Sequence, residues 1–259
     1  MAYKILAINP GSTSTKISVA NNCEPLFVED VKHSRSELEH FHTIFGQYEY
    51  RRQRILQELQ QRNIPLDFNA VVGRGGLSKA VESGVYRVNP QMIEDQRKAV
   101  HQHPCDLGCK LAYDIAEMIP GCQSFIADPG VVDEMIPEAH ITGLPETPRI
   151  CIWHALNQKA VGRRYAREHN TQYNKLNLII AHLGGGISFA AHRQGRAIDA
   201  NNALSGDGPF SPERTGTLPM SEIVRLCYHS GLTEEQMMKK ITSQGGLLAH
   251  LGTNDFREI

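Results

Sequence analysis

The chain has 259 residues, of which 41% are hydrophobic and 21% are charged. A chain of this length can bury one or two sizeable cores, and no apolar run approaches the roughly 18 residues needed to span a membrane. The formal net charge of -1, with both signs mixed along the chain, gives no electrostatic reason to expect binding to nucleic acid. The sequence enters a predicted strand at once, without a signal peptide, so the cytoplasm is the expected location.

The first predicted feature is a phosphate-binding turn within residues 5–19. Two β-rich runs flank a turn that contains Gly11, Ser12, Ser14 and Lys16. Glycine permits backbone conformations that other residues resist, hydroxyls can donate hydrogen bonds to phosphate, and lysine brings a compact positive charge. It is not a Walker loop, which would need a second glycine before the lysine and a helix after it. An ordinary Ser/Thr-rich hairpin turn remains the alternative at this point.

The rest of the first half alternates predicted strands and helices. Two short buried strands, residues 70–72 and 124–127, each end where a polar side chain emerges, Arg74 after the first and Asp128 after the second. In open α/β sheets, ligands bind outside the carboxyl ends of the strands, so both residues are expected to face a cleft. The alternatives are a surface arginine in a turn and an aspartate that caps a following helix.

Four side chains that could bind a metal lie close together, namely His101, His103, Cys105 and Cys109. A zinc site is conceivable, but the spacing matches none of the usual zinc patterns, and a helix capped by Asp106 is predicted here. The other cysteines show no paired spacing, so reduced thiols are expected.

A second strand-loop-strand-turn-strand pattern occupies residues 177–199. Its first strand ends at His182, and its loop contains Gly184, Gly185 and Gly186. Because the pattern repeats that of the N-terminal segment, it predicts a duplicated domain with a phosphate loop on each half. A phosphorylated ligand would then bind in the cleft between the halves.

Two further candidates in the second half are His154 and Arg214. His154 precedes a predicted helix, and a buried, hydrogen-bonded structural histidine is the commoner outcome in such a context. Arg214 lies in the proline-rich turn at residues 209–216. There it could serve as a rigidly positioned functional group or simply pair with Glu213.

These segments together resemble the acetokinase family, within the actin-like and sugar-kinase superfamily. The motifs that carry the resemblance extend over nearly the whole chain, at residues 9–16, 70–77, 154–160, 182–188, 208–214 and 254–258. The resemblance implies an α/β protein with the two-domain actin-like ATPase (ribonuclease H-like) fold, in which duplicated mixed sheets are flanked by helices. The implied domains are residues 1–148 and 149–259, the second of them incomplete.

The resemblance also implies roles for individual residues. The implied contacts to the nucleotide or its phosphates are Ser12, Ser14, Lys16, His182, Gly184, Gly185, Gly186, Asp255, Phe256 and Arg257. The implied catalytic residues are Arg74, Asp128, His154 and Arg214; the substrate-binding residues are Arg74 and His103; and Asn9 lies near the metal. In this scheme His154 and Arg214 lie beside the transferring phosphoryl group, and Asp128 orients another active-site group.

The activity that the resemblance implies is reversible transfer of phosphate from ATP, with Mg²⁺, to a short-chain carboxylate, which gives an acyl phosphate and ADP. Butyrate or a branched acid is expected ahead of acetate or propionate. A carboxylate is already ionised at neutral pH, so the site needs cations that overcome repulsion between two anions more than it needs a general base. Arg74, His154 and Arg214 would supply that positive potential. A non-catalytic nucleotide-binding remnant is the alternative from another class.

Members of the family carry a long closing segment after the last matching motif. It includes a glycine-rich stretch near the adenosine, an acidic residue implicated at the metal and a final helix. We therefore expect that the sequence is either a fragment or a shortened gene product, that it binds ATP weakly and that it transfers phosphate poorly by itself. A homo-oligomer is the expected assembly.

Overall fold

The computed structural model describes residues 2–76, 79–99 and 103–259. The chain folds as two compact units, the first ending at Val131 and the second beginning at Val132. The domain boundary near residue 148 stays a prediction. The segment before it belongs to the second unit, where the Ile136 N–H donates to the Ile198 carbonyl at 3.0 Å.

The first unit is built on a six-stranded sheet. Its strands are β1 (Lys4–Pro10), β2 (Ser14–Asn21), β3 (Glu24–Lys32), β4 (Ala70–Arg74), β5 (Val85–Arg87) and β6 (Gln123–Ala127). They lie in the order β3-β2-β1-β4-β6-β5. Strands β1, β2 and β3 form an antiparallel meander, whereas β1, β4 and β6 run parallel, so their carboxyl ends reach one edge of the sheet. The two short strands predicted before Arg74 and Asp128 are confirmed as parts of β4 and β6.

Helices cover this sheet and close its main core. Those described in the first unit are α1 (Arg35–Leu38), α2 (Tyr48–Gln61), α3 (Pro90–Arg97) and α4 (Leu107–Glu117). Helix α4 lies so close to β4 that a Cβ atom on Gly73 would collide with the carbonyl of Gly108. Ile55 and Leu59 of α2 and Leu111 of α4 are at most 1% exposed and pack with strand residues in the core. Because Arg51 lies one turn before Ile55, its side chain points into the same core.

The second unit contains a three-stranded antiparallel sheet and several helices. Its elements are α5 (Ala155–Glu168), β7 (Asn177–Leu183), β8 (Ile187–Arg193), β9 (Arg196–Ala200), α6 (Met220–His229), α7 (Glu234–Ser243) and α8 (Gly246–Leu251). The strands follow the order β7-β8-β9, and the parallel pairing described in this unit is the isolated bridge between Ile152 and Asn202. Within the described ranges, no helix is long and apolar enough to cross a membrane.

The core of the second unit contains several buried polar groups. Gln158 and Lys159 of α5 and His192 of β8 are at most 3% exposed, and the His192 ring contacts the buried indole of Trp153 edge-on. Lys159 pairs with Glu134 at 2.8 Å, and both side chains are at most 5% exposed. Buried polar groups are stable only when they are hydrogen-bonded, so this core specifies an ordered network.

Candidate active site

The first predicted loop joins β1 to β2 and is closed by a hydrogen bond of 2.7 Å from the Gly11 N–H to the Ser14 carbonyl. Ser12 and Lys16 are exposed and Ser14 is half-buried, so all three are accessible to a ligand. The expectation that Gly11 supplies a special backbone conformation is wrong. Gly11 is outside the left-handed region, and a Cβ atom there would make only an ordinary contact of 3.4 Å.

A buried cation lies directly beneath this loop. The Arg51 guanidinium is 0% exposed, and its Nη1 donates to the Ser14 carbonyl at 3.2 Å and to Thr15 Oγ1 at 3.0 Å. Its other nitrogens donate to Gln47 Oε1 at 2.9 and 3.0 Å. Burial lowers the pKa of Arg51 to about 10, which still leaves it charged at neutral pH. In the described part of the chain no carboxylate pairs with it.

Sequence reasoning missed Arg51, because α2 reads as an amphipathic helix whose inward face belongs to the core. The one available signal is that Arg51, Ile55 and Leu59 follow each other at intervals of four, which places an arginine on the apolar stripe. An arginine at such a position is either paired or functional, since a buried charge is costly.

The parallel strands bring two predicted residues together at the edge of the first sheet. Arg74 Nη1 donates to Asn9 Oδ1 at 3.3 Å. Asp128, after β6, has a left-handed backbone with φ of 37° and is 6% exposed. Its carboxylate accepts from Ser83 Oγ at 2.5 Å and from the Gly84 N–H at 2.9 Å. The alternative that Asp128 caps a following helix is wrong, because the next helical segment in the described chain is the 3₁₀ turn Pro137–His140.

In the described part of the His/Cys cluster, residues 103–109, the side chains cap a helical turn or pack in the interior. His103 Nδ1 accepts from the Cys105 N–H at 3.2 Å, and the Asp106 carboxylate accepts from the His103 N–H at 2.6 Å. Asp106 therefore caps the turn before α4, and its predicted role as the side-chain cap of α4 is wrong. Burial raises the pKa of Cys105 and Cys109 to about 12, so both stay protonated. His101 lies outside the described residues.

The end of β4 lies against the start of α4, because a Cβ atom on Gly108 would collide with the Arg74 carbonyl and one on Gly76 would collide with Asp106. No group of three or more His, Cys, Asp or Glu side chains placed to hold a metal was found among residues 2–76, 79–99 and 103–259. All six cysteines are free thiols, and of these Cys23 and Cys227 are exposed.

The second predicted loop joins β7 to β8, and its glycines allow side chains to approach the backbone. A Cβ atom on Gly184 would lie 2.8 Å from His182 Nε2, and one on Gly186 would collide with the Arg214 guanidinium. Gly185 faces open space, and its carbonyl accepts from Ser211 Oγ at 2.7 Å. The loop therefore brings His182 and Arg214 against one short stretch of backbone.

The Arg214 side chain is half-buried, and Nη1 donates to the Ala203 carbonyl. Burial lowers its pKa, and within the described ranges it forms no ion pair with a carboxylate. The alternative that Arg214 pairs with Glu213 is wrong, since the two side chains form no ion pair within the described ranges, although the charge of Glu213 partly opposes the lowering of the Arg214 pKa. The Glu213 carboxylate accepts from Asn254 Nδ2. Arg214 thus presents a partly desolvated positive charge beside the glycine loop, which is a favourable place for an anion.

His154 and His182 form a stacked pair next to this loop. Their ring centroids are 3.9 Å apart and their planes differ by 9°. His154 is the residue before α5 and has a left-handed backbone with φ of 58°. Its Nδ1 lies 2.9 Å from Ser188 Oγ, and His182 Nδ1 lies 2.9 Å from Asn157 Nδ2. The second unit therefore brings His154, His182 and Arg214 together around Gly184–186.

The last predicted group forms a local ion pair near the end of the chain. Arg257 Nε donates to Asp255 Oδ1 at 2.9 Å. The side-chain and backbone hydrogen bonds from Arg257 lower the pKa of Asp255. Phe256 is 53% exposed. The group is linked to the rest of the unit through Asn254, which donates to Glu213 beside Arg214. Its predicted contact with the nucleotide stays a prediction.

Comparison with known proteins identifies the family. The family model of the acetokinase family matches residues 149–259. A probable butyrate kinase of Bacteroides thetaiotaomicron is 53% identical to this chain, and the match covers 99% of this chain and 72% of that protein. Butyrate kinase 2 of Clostridium acetobutylicum is 48% identical, and the match covers 100% of this chain and 73% of that protein.

Solved structures agree on the fold. The acetate kinase of Porphyromonas gingivalis, 21% identical, gives a TM-score of 0.70 over 99% of this chain and 72% of that chain. A propionate kinase of Francisella tularensis, 20% identical, gives a TM-score of 0.75 with the same coverage of both chains. The predicted fold is thereby confirmed, and the chain belongs to the acetokinase family.

Proposed function

We propose that this protein transfers the γ-phosphoryl group of ATP to a short-chain carboxylate, with butyrate or a branched acid preferred over acetate and propionate. The names of its relatives support the choice of acceptor. The observation that carries the proposal is the half-buried Arg214 guanidinium, which contacts the glycine loop beside His154 and His182 without a paired carboxylate among the described residues. Bound phosphoryl oxygens would neutralise this charge.

The proposed reaction needs no proton transfer. One carboxylate oxygen forms a bond to the γ-phosphorus, the bond from that phosphorus to the bridging oxygen breaks, and the electron pair leaves with ADP. Arg214 and His154 would stabilise the charge that spreads over the transferring group. His182 and the backbone of Gly184, Gly185 and Gly186 would line the phosphate.

In the first unit the proposed roles follow the sequence expectations. Ser12, Ser14 and Lys16 would contact phosphate from the accessible face of the first loop, with the Arg51 charge beneath them. At the sheet edge, Arg74 and His103 would bind the carboxylate substrate. Asp128 would hold the segment at residues 83–84 in place by accepting from Ser83 and Gly84, which makes it a positioning residue.

The described residues fit the phosphates of ATP better than they fit a metal held by protein ligands alone. The accessible hydroxyls, Lys16 and Arg214 all favour phosphate, whereas Asn9 offers a single neutral oxygen that already accepts from Arg74. Mg²⁺ commonly binds through substrate phosphates and water with few protein ligands, and it would neutralise phosphate charge. Asp255, Phe256 and Arg257 would contact the nucleotide. A cytoplasmic location and a homo-oligomer belong to the same proposal.

The proposal is tested by trapping acyl phosphate as the hydroxamate, with butyrate, isobutyrate, propionate and acetate as acceptors. In a form of the enzyme with measurable turnover, Arg214→Ala should lower the turnover number roughly 100- to 1000-fold with little change in KM for ATP. Arg225→Ala is the matched control, since Arg225 is an exposed arginine of α6 that pairs with Glu222 at 3.2 Å. Near-normal turnover of Arg214→Ala would contradict the proposal. Binding of ATP without any turnover in the unmodified protein would favour a nucleotide-binding remnant.

A further inference from the structure

We infer that Ser188 and Gln158 are positioning residues that fix the tautomer of His154, with the proton on Nδ1 and the lone pair on Nε2. This inference rests on the proposed function only for the contact between His154 and phosphate. The assignment of the tautomer follows independently from the hydrogen bonds of three buried residues.

Two backbone carbonyls, which can only accept hydrogen bonds, fix the orientation of the Gln158 amide. Gln158 Nε2 lies 2.9 Å from the Trp153 carbonyl and 3.4 Å from the Ser188 carbonyl. The amide must therefore turn its nitrogen toward them, and its Oε1 toward His192. Because Oε1 can only accept, His192 Nε2, at 3.0 Å, must carry a proton. Burial lowers the pKa of His192 to about 4, which keeps this ring neutral at neutral pH.

The Ser188 hydroxyl is 0% exposed and has one proton and two lone pairs. It donates its proton to the Trp153 carbonyl at 2.9 Å. It accepts from Gln158 Nε2, also at 2.9 Å. One lone pair remains for His154 Nδ1 at 2.9 Å, so this nitrogen must donate. The reverse arrangement would leave the Ser188 and Trp153 oxygens 2.9 Å apart with no proton between them.

The consequence for His154 is a fixed ring orientation. In the neutral imidazole Nδ1 carries the proton and Nε2 the lone pair, and in the imidazolium Ser188 still accepts from Nδ1. In either state Nδ1 stays hydrogen-bonded to Ser188, so the ring is held in one orientation. The strand β8 and the helix α5 therefore control His154 through Ser188 and Gln158, although neither side chain needs to touch the substrate.

The decisive measurement is the tautomer of His154 in the 259-residue protein labelled with ¹⁵N-histidine. A long-range proton-nitrogen correlation at mildly alkaline pH should show a protonated Nδ1 and an unprotonated Nε2, with the signal identified by its loss in His154→Gln. Ser188→Ala should produce a mixture of tautomers, and Ser188→Thr, which restores the hydroxyl, should return the original one. A wild-type signal with protonated Nε2 would overturn the inference whatever the kinetics.

Kinetics supply the second readout. Ser188→Ala and Gln158→Met should lower the turnover number roughly 10- to 100-fold with KM for ATP nearly unchanged. The control is Ser124→Ala, a buried serine of β6 that has no part in this network and should keep normal turnover. Unchanged turnover in Ser188→Ala together with a shifted tautomer would refute positioning by this pair. If His154→Gln itself keeps normal turnover, the proposed function of His154 fails, while the spectrum still decides the tautomer.

Discussion

The two hairpin loops are built on one plan, but they are supported by different chemistry. In each, the second residue of the returning strand is a fully buried hydroxyl, Thr15 in β2 and Ser188 in β8. Each hydroxyl accepts from a side chain of the underlying helix, Arg51 of α2 in the first and Gln158 of α5 in the second. Each also contacts a histidine, at 2.8 Å in the first unit and 2.9 Å in the second.

The two units differ in whether a carboxylate neutralises the buried cation. Arg51 lies under the first loop and is held by neutral partners only. The second unit also buries a cation, Lys159, next to Gln158 in sequence, but Glu134 neutralises it. The first loop therefore lies above a net positive charge in a medium of low polarity, where it acts strongly on a bound anion. The second loop is supported by a neutral network suited to orienting a ring.

The largest expected effect comes from removing one partner of the buried ion pair between Lys159 and Glu134. Lys159→Met leaves the Glu134 charge buried without its partner and should lower the free energy of unfolding by about 3–5 kcal/mol. The double variant Lys159→Met/Glu134→Leu removes both charges and should recover most of that loss. Denaturant unfolding of the three proteins measures the effect. Equal stability of Lys159→Met and the wild type would contradict the claim that Glu134 depends on Lys159 for neutralisation, and with it the contrast with Arg51.

Acid should destabilise both units through one histidine each. Burial lowers the pKa of His33 and of His192 to about 4 from an ordinary value near 6.5. Between these values the unfolded chain binds more protons than the folded one, so the free energy of unfolding falls as pH drops from about 6.5 to about 4. Each histidine should contribute up to about 2–3 kcal/mol of this loss.

The measurement is the free energy of unfolding at neutral and mildly acidic pH. His33→Gln and His192→Gln should each flatten the dependence on pH, whereas His229→Gln, at an exposed position of α6, should leave it unchanged. If the free energy of unfolding depends on pH as strongly in His33→Gln and His192→Gln as in the wild type, other groups cause the sensitivity to acid.

Removal of the unpaired cation should weaken nucleotide binding more than it affects stability. Arg51→Met takes away the charge under the first loop and should raise the Kd for ATP about 10- to 100-fold, or about 1.4–2.8 kcal/mol. It leaves no opposite charge buried, so stability should fall less than in Lys159→Met. Arg62→Met, at an exposed arginine just after α2, is the control for calorimetric titration. Unchanged affinity in Arg51→Met would remove the electrostatic distinction between the loops.

The smallest effects are expected at the central loop glycines. Gly11→Ala and Gly185→Ala meet no close neighbour and no left-handed backbone, so each should change the free energy of unfolding by less than about 1 kcal/mol. Gly186→Ala is the contrasting variant, because its methyl group would displace Arg214. Thermal unfolding compares the three. A large loss in Gly185→Ala would show that the second loop is packed more tightly than the first.

The sequence predicted those parts of the molecule that depend on local pattern. The two meanders and the strands before Arg74 and Asp128 were recognisable from apolar runs and turn residues, and the family motifs directed attention to His154, His182 and Arg214. Arg51 and Gln158 were not recognisable, because what distinguishes them is a hydrogen bond to a strand distant in sequence. A polar residue on a core-facing helix position shows its partner only after the strand has been brought beside it.

The cysteines offer a consequence for spectroscopy. Burial keeps the thiols of Cys105, Cys109 and Cys151 protonated, with pKa values near 12, and such thiols react poorly with maleimides. Cys23, in the turn after β2, and Cys227, in α6, are exposed. The remaining thiol, Cys122, is half-buried, and burial raises its pKa. A donor and an acceptor dye should therefore attach preferentially at one native site in each unit. Energy transfer between the dyes would then follow the distance between the units as ATP is added, without any engineered residue.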